Sequence, residues 1–150
     1  MELSKLVYLA APFWHDDPEI RQARVDCVTM LAGRLSRMGL FVYSPLTYGY
    51  ACELAAGFWK IGEPYWHEHS AAMLRFASVL GVLRLPGWAD SKGVARECVD
   101  ARNMSMSIVE IAPIYVGGLG GNPMLDEFDP AATALACAGA LSLAARGARG

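Results

Sequence analysis

Glu97 is the residue of this chain whose setting points most clearly to chemistry. It follows the apolar run Val79–Leu85, the turn Pro86-Gly87 and the polar pair Asp90-Ser91. A strand, a tight turn and a helix cap in this order are typical of an open α/β sheet that presents a side chain at the cleft beyond its strand ends. A carboxylate there can act as a nucleophile or as an acid or base. We therefore expect Glu97 in the first two turns of a helix, facing a cleft.

A second polar cluster lies in the segment before this strand, where His67, Glu68 and His69 follow one another. Glu68 or His69 can donate a proton where its pKa suits, and Glu68 is our candidate for the general acid. Two histidines two positions apart on a helix do not converge on one point, and no third ligand is evident. The four cysteines form no C-x-x-C pair and indicate neither a disulfide framework nor a zinc site. We expect no metal and no other cofactor.

Ordinary structural roles compete with the functional ones. Glu97 can be a solvated helix residue paired with a neighbouring arginine, and Tyr8, on an apolar strand, can belong to the core. Arg84 is unusual on such a strand, and we expect it either to pair with Asp90 or to face a ligand. Asp90 itself is expected to cap the following helix. The tryptophans that can fill a core or subunit contact as readily as they stack on a base are Trp59, Trp66 and Trp88.

The first half of the chain predicts a strand, a helix and a strand. The β-rich run Lys5–Ala10 ends at a proline turn, and Asp16-Asp17-Pro18-Glu19 then begins a helix that ends near Met38-Gly39. A second strand, Leu40–Tyr43, is closed by Ser44-Pro45. These elements form a βαβ unit, for which we expect a right-handed crossover.

The second half continues the alternation. Its expected elements are a short helix around Tyr50–Phe58, a helix from Pro64, the buried strand Val79–Leu85, a helix from Ser91 to about Ser107, and the strand Ile111–Val116. The glycine-rich stretch 118–128 does not lead directly into a helix, so we expect a flexible turn and linker rather than a phosphate loop. An Ala-rich helix over 129–146 follows.

This order predicts one α/β domain over residues 1–150. We expect a doubly wound, Rossmann- or flavodoxin-like three-layer sandwich with a four- to five-stranded, mainly parallel sheet. Ligands of such folds bind beyond the carboxyl ends of the strands. The segments expected to meet there are the loop Ala11–Asp16, the start of the helix at Pro64 and the turn Pro86–Gly93.

The amino-acid composition limits the classes of partner that we expect for this protein. With 54% hydrophobic and 19% charged residues, some apolar surface is expected to be covered by another subunit, so we expect a homo-oligomer. The net charge is −2 without basic clusters, which argues against nucleic acid but leaves room for a small anionic ligand. The first residues have no basic segment leading into an apolar core, and no run approaches the roughly 20 apolar residues of a membrane span. We expect a cytoplasmic protein without a membrane partner.

Three segments carry a family resemblance: Tyr8–Phe13, Ser44-Pro45, and Leu85-Pro86-Gly87-Trp88 followed by Ser91-x-Gly93-Val94-x-x-Glu97. With these segments the chain resembles the nucleoside 2-deoxyribosyltransferase-like superfamily, and within it a group of bacterial and phage proteins that share the Leu-Pro-Gly-Trp turn. The resemblance covers roughly residues 5 to 116.

The resemblance implies cleavage or exchange of the N-glycosidic bond between a base and a sugar or sugar 5-phosphate. It implies that Glu97 attacks the anomeric carbon and that Tyr8 orients it. A carboxylate suits this reaction, because departure of the base leaves an oxocarbenium-like centre that a carboxylate can stabilise or trap. The residues expected to bind the nucleoside or nucleotide are Ala11, Pro12, Phe13, Ser70, Gly87, Trp88, Ser91 and Gly93.

The chain departs from the superfamily pattern at Ser70 and Ser78, where the resemblance implies two aspartates that protonate the base or hold the sugar. Glu68 or His69 can replace them as proton donor, although neighbours two positions apart lie on different helix faces. The leading hypothesis is therefore an N-glycosidase or deoxyribosyltransferase. The alternatives are a nucleotide-binding or sensing protein impaired in catalysis, and a structural oligomer without a ligand.

Overall fold

Four parallel strands form the central sheet of the protein, whose computed structural model describes residues 5–113 and 128–149. The strands are β1 (Leu6–Ala10), β2 (Phe41–Tyr43), β3 (Val79–Leu83) and β4 (Ser107–Ile111), in the spatial order β2-β1-β3-β4. Every neighbouring pair is parallel. Strand β2 lies on one side of β1, and β3, which follows β2 in the chain, lies on the other side of β1. The direction of winding therefore switches between β1 and β3, and the crevice of a doubly wound sheet opens at such a point.

Helices cover both faces of this sheet. They are α1 (Pro18–Arg37), α2 (Pro45–Ala56), α3 (Tyr65–Leu74), α4 (Lys92–Asn103) and α5 (Pro130–Arg149), with a short 3₁₀ turn at Trp88–Asp90. Val7 and Leu9 point to one face, where they pack with α1 and α5. Tyr8 and Ala10 point to the other, where they pack with α3 and α4. The three-layer, doubly wound α/β fold predicted from the sequence is confirmed.

Short polar side chains begin the helices. Asp17 accepts a hydrogen bond from the Glu19 amide (2.9 Å), and Ser44 accepts one from the Thr47 amide (3.2 Å). Ser91 accepts from the Val94 amide (3.2 Å) and so caps α4. The expectation that Asp90 caps this helix was wrong, because Asp90 belongs to the 3₁₀ turn that precedes it.

Three predicted boundaries need correction. Helix α2 begins at Pro45, not near Tyr50, because Ser44-Pro45 is a cap followed by a first-turn proline rather than only the end of a strand. Helix α4 ends at Asn103 instead of Ser107, and Ser105 after it has a left-handed backbone with φ 55°. Strand β4 accordingly begins at Ser107, not at Ile111. The glycine-rich stretch predicted over 118–128 falls almost wholly outside the described residues.

None of the helices described is both long and apolar enough to cross a lipid bilayer.

Candidate active site

A cavity of about 770 Å³ opens at the carboxyl ends of β1 and β3. Its lining comes from the loop after β1, helices α2 and α3, the loop over residues 57–64 that joins them, and the turn that leads into α4. This is the crevice that the winding of the sheet predicts. Its volume lies in the range of roughly 300–1,000 Å³ that is common for small-molecule sites.

Glu97 lies in the second turn of α4 and lines this cavity. Its Oε2 is buried and has no hydrogen-bond partner among the described residues. Burial raises the pKa of Glu97 to about 7, with a smaller contribution from the negative charge of Asp100, while the nearby Tyr8 hydroxyl acts in the opposite direction. At neutral pH this carboxyl group therefore exchanges readily between its protonated and ionised forms.

The Tyr8 side chain is fully buried on β1 and does not itself line the cavity. Its ring contacts that of Tyr43 on β2, with centroids 5.6 Å apart. Neither hydroxyl has a hydrogen-bond partner in the described part of the chain. Burial and the charge of Glu97 raise the pKa of Tyr8, so its hydroxyl stays protonated. The structure thus places the Tyr8 hydroxyl, a potential donor, close enough to the Glu97 carboxyl group for each to shift the pKa of the other, without a hydrogen bond between them.

Most of the residues expected to bind substrate line the cavity: Ala11, Pro12, Phe13, Ser70, Gly87, Ser91 and Gly93. Trp88 does not line it, and its ring lies under the Arg84 guanidinium at 4.9 Å. Arg84 also pairs with Glu110 (3.7 Å) and therefore neither pairs with Asp90 nor faces the cavity.

The expected proton donors lie elsewhere. Glu68 is exposed and does not line the cavity, and the His69 ring stacks between Tyr48 and Tyr65. His67, from the same cluster, does line it. In the described part of the chain, no group of three or more His, Cys, Asp or Glu side chains is arranged to hold a metal ion.

Arg24 is a cavity residue that the sequence analysis missed. It is buried on α1, and its guanidinium donates hydrogen bonds to the carbonyl oxygens of Trp14 (2.7 Å), Phe13 (3.3 Å) and Pro86 (2.9 Å). It thereby joins the loops that follow β1 and β3. A signal was present, because Arg24 precedes the buried Val28 and Leu31 by four and seven positions and so occupies the apolar face of its helix.

Glu53 is a second missed residue, buried on α2 and lining the cavity. Its carboxylate accepts hydrogen bonds from the Ile61 amide (3.0 Å), the Gly62 amide (2.9 Å) and the indole Nε1 of Trp66 (3.1 Å). Burial acts to raise the pKa of Glu53, but these three donors outweigh it, and the pKa lies below its ordinary value. No sequence pattern indicates this role, because the donors lie in an irregular loop and at the start of the next helix.

Aromatic rings from the loop after β1, from α2 and from the 57–64 loop also line the cavity. The ring of Trp59 stacks on that of Phe13, with centroids 5.9 Å apart and planes at 20°. Trp14 lies against Trp59 at 5.4 Å, and Tyr50 meets Phe13 edge-on at 5.9 Å. The Arg21 guanidinium covers the outer side of Trp14 at 4.8 Å. The cavity is therefore lined by flat apolar faces as well as by the carboxyl group of Glu97.

A family model described as a domain of unknown function, DUF1937, matches residues 5–112. The chain belongs to the DUF1937 family. The match includes all four strands, helices α1 to α4 and every residue that lines the cavity, whereas α5 lies beyond it. The cavity is thus built within the DUF1937 domain. No curated protein matches the chain.

Proposed function

We propose that this protein cleaves or exchanges the N-glycosidic bond of a nucleoside or nucleotide, with Glu97 as the nucleophile. The observation that carries the proposal is the buried Glu97 carboxyl group beside the Tyr8 hydroxyl, at a cavity of about 770 Å³. We further propose that it acts in the cytoplasm, on free nucleosides or nucleotides, as a homodimer or larger closed oligomer.

The rest of the lining suits the two parts of such a substrate. The stacked rings of Phe13 and Trp59 offer flat faces against which a base can pack. At the other side, Ser91 and Gly93 lie at the N-terminus of α4, where free amides favour an anionic or hydroxyl-rich group. Lys92 adds a positive charge to the same lining.

In the proposed reaction, an ionised oxygen of Glu97 attacks the anomeric carbon as the carbon–nitrogen bond breaks. The bonding electrons leave with the base nitrogen, which takes up a proton. Water or a second base then attacks the same carbon and loses a proton. The bond between this carbon and the Glu97 oxygen breaks, and its electrons remain on the carboxylate. We propose that Tyr8, whose raised pKa keeps its hydroxyl protonated, donates to the carboxylate when the substrate binds and so holds one of its oxygens toward the sugar.

The leaving base needs a proton donor, and Glu68 is too far toward solvent for this role because it does not line the cavity. His67 on α3 and Asp100 on α4 are titratable side chains that do line it. We propose that one of these two residues, or a water molecule held by them, protonates the base.

Ser70 favours the second candidate function, a nucleotide-binding or sensing protein with little catalysis. Its hydroxyl lies at the cavity near that of Tyr8, at a position where the superfamily resemblance implies an aspartate. If catalysis is limited by this missing acid, Ser70→Asp should raise the rate of base release by up to roughly 10²–10⁴-fold. Ser36→Asp, on the exposed side of α1, is the matched control and should change nothing.

Base release from a panel of deoxynucleosides, ribonucleosides and their 5′-monophosphates tests the proposal, with thermal shift on the same panel. Release of base from any member supports the enzyme. Stabilisation without release supports the binding protein. If no member is cleaved and none raises the melting temperature, both candidate functions are wrong.

A further inference from the structure

Glu53 is a buried carboxylate at the cavity for which the proposed reaction has no use. Only 2% of its surface is exposed. Its charge is balanced by the donors from Ile61, Gly62 and Trp66, and the ion pairs within the described residues do not include it. A buried charge is costly unless hydrogen bonds replace its lost water, so all three donors are held firmly.

Two of these donors lie in the loop over residues 57–64, which adopts an unusual backbone. Gly57, Trp59 and Gly62 all have left-handed φ values, of 90°, 61° and 62°. A bulky residue such as Trp59 rarely takes this conformation, because it strains the backbone. Such a backbone persists only where surrounding contacts impose it. The Glu53 carboxylate supplies those contacts just after Trp59.

The same loop delivers the Trp59 ring to the cavity. The ring stacks on Phe13 at 5.9 Å and contacts Trp14 at 5.4 Å, and both of these partners belong to the loop after β1. Within the 57–64 loop the Trp59 ring also contacts that of Phe58, with centroids 5.9 Å apart, and both rings are placed by the backbone of this loop. The position of one wall of the cavity therefore depends on the anchor that Glu53 provides.

We propose that Glu53 is a positioning residue that fixes the 57–64 loop and thereby holds the Trp59 ring in the cavity, where it packs against the flat heterocycle of the ligand. The contact between Trp59 and the ligand rests on the proposed function. The role of Glu53 in fixing the loop and the Trp59 ring does not, and it is testable without any substrate.

Glu53→Gln is the main test variant. A glutamine has one accepting oxygen where glutamate has two, so at least one of the three N–H donors meets an amide NH₂ instead. We expect the near-UV circular dichroism that arises from the Trp14–Trp59 contact to fall to the level of Trp59→Phe, and acrylamide quenching of tryptophan fluorescence to increase. The far-UV spectrum should stay unchanged. Glu63→Gln is the control, because Glu63 lies in the same loop, is exposed and, among the described residues, forms an ion pair with Arg96 (3.6 Å) and none with another side chain. This variant should keep the native near-UV signal.

Trp66→Phe serves as the second test if Glu53→Gln fails to fold, because it removes the indole donor and leaves the two amide donors of the loop. Trp66 contributes to the near-UV signal itself, so the contribution of Trp59 is measured as the further loss on adding Trp59→Phe. This loss should be smaller in the Trp66→Phe background than in the native protein. An unchanged near-UV signal in the folded Glu53→Gln variant, or an equal Trp59 contribution in both backgrounds where Trp66→Phe is used, overturns the positioning role.

Kinetics separate this inference from the proposed function. With a substrate found in the panel, Glu53→Gln should raise KM roughly tenfold and leave kcat within about threefold, because it weakens the stacking of the heterocycle on Trp59 and leaves Glu97 in place. An unchanged KM despite a lost near-UV signal overturns the contact between Trp59 and the heterocycle. If the native protein cleaves nothing, the proposed function fails, and the spectra still decide the role of Glu53.

Discussion

The burial of Glu97 gives the protein a stability that depends on pH. Its pKa of about 7 in the folded state lies above the ordinary value of 4.5, so the folded state binds a proton more tightly than the unfolded state does. The stability that this proton supplies is fully present below pH 4.5 and is lost as the pH rises through about 7. Glu97→Gln, which cannot ionise, should therefore exceed the native protein in stability at pH 8 by up to about 3 kcal/mol, at about 1.4 kcal/mol per pKa unit.

Urea denaturation at pH 4.5 and pH 8 measures this effect, with Glu19→Gln, an exposed residue of α1, as the control. The difference between Glu97→Gln and the native protein should be large at pH 8 and small at pH 4.5. Equal differences at the two pH values would mean that the carboxyl group is not held in a poorly solvated site.

Among the individual site residues, the sequence indicated only those that belong to a local pattern. Glu97, Ser91 and Gly93 follow one another after a strand and a turn, and Tyr8 sits on the neighbouring strand of the same crevice. Arg24 and Glu53 contact partners from distant or irregular segments, which no local pattern shows. Arg24 donates to backbone carbonyls, and Glu53 accepts from two backbone amides and the Trp66 indole, so no oppositely charged side chain in the sequence points to either of them.

At the scale of elements, the turn between β3 and α4 depends on a glycine. Gly87 has φ +91°, and a Cβ at this position would lie 2.7 Å from Nη2 of Arg24. Gly87→Ala should therefore lose of the order of 2 kcal/mol of stability, because it adds backbone strain and displaces the guanidinium that joins the two loops. Thermal or urea unfolding measures the loss. Gly93→Ala is the control, since its added Cβ would meet nothing nearer than 3.9 Å and its backbone is not left-handed; an equal loss in both variants would contradict this account.

The periodicity of the sequence predicted the elements well where a cap or a buried strand marks them. Helix α1 begins at Pro18 after the Asp17 cap, and strand β3 is buried at every position, as a central parallel strand should be. The predicted boundaries between α4 and β4 were wrong. No glycine or proline marks the left-handed residue Ser105 that follows α4, and the hydrophobic residues that lead into β4 fit a helix as well as a strand. The start of α2 was misjudged because Ser44-Pro45 serves both to end a strand and to begin a helix.

At the scale of the whole molecule, apolar side chains remain exposed on more than one surface. Phe41 on the edge strand β2 is 66% exposed, and Leu135 on α5 is 76% exposed. An edge strand with a large exposed aromatic residue is a ready surface for association. We expect a homodimer or larger closed oligomer, and Phe41→Lys should shift it toward monomer where this edge forms the contact. Light scattering after gel filtration at micromolar concentration measures the mass; a monomer of the native chain would contradict the expectation.

We predict that Glu97 is the nucleophile in cleavage of an N-glycosidic bond. The test is the rate of base release from the best substrate of the panel at pH 8, compared between the native protein and Glu97→Gln. The shape of the side chain is retained and only its ability to attack is removed, so the rate should fall by at least roughly a thousandfold, as expected when a nucleophile is lost. The variant should at the same time remain folded and still bind the substrate. A Glu97→Gln variant that releases base within tenfold of the native rate would contradict the claim.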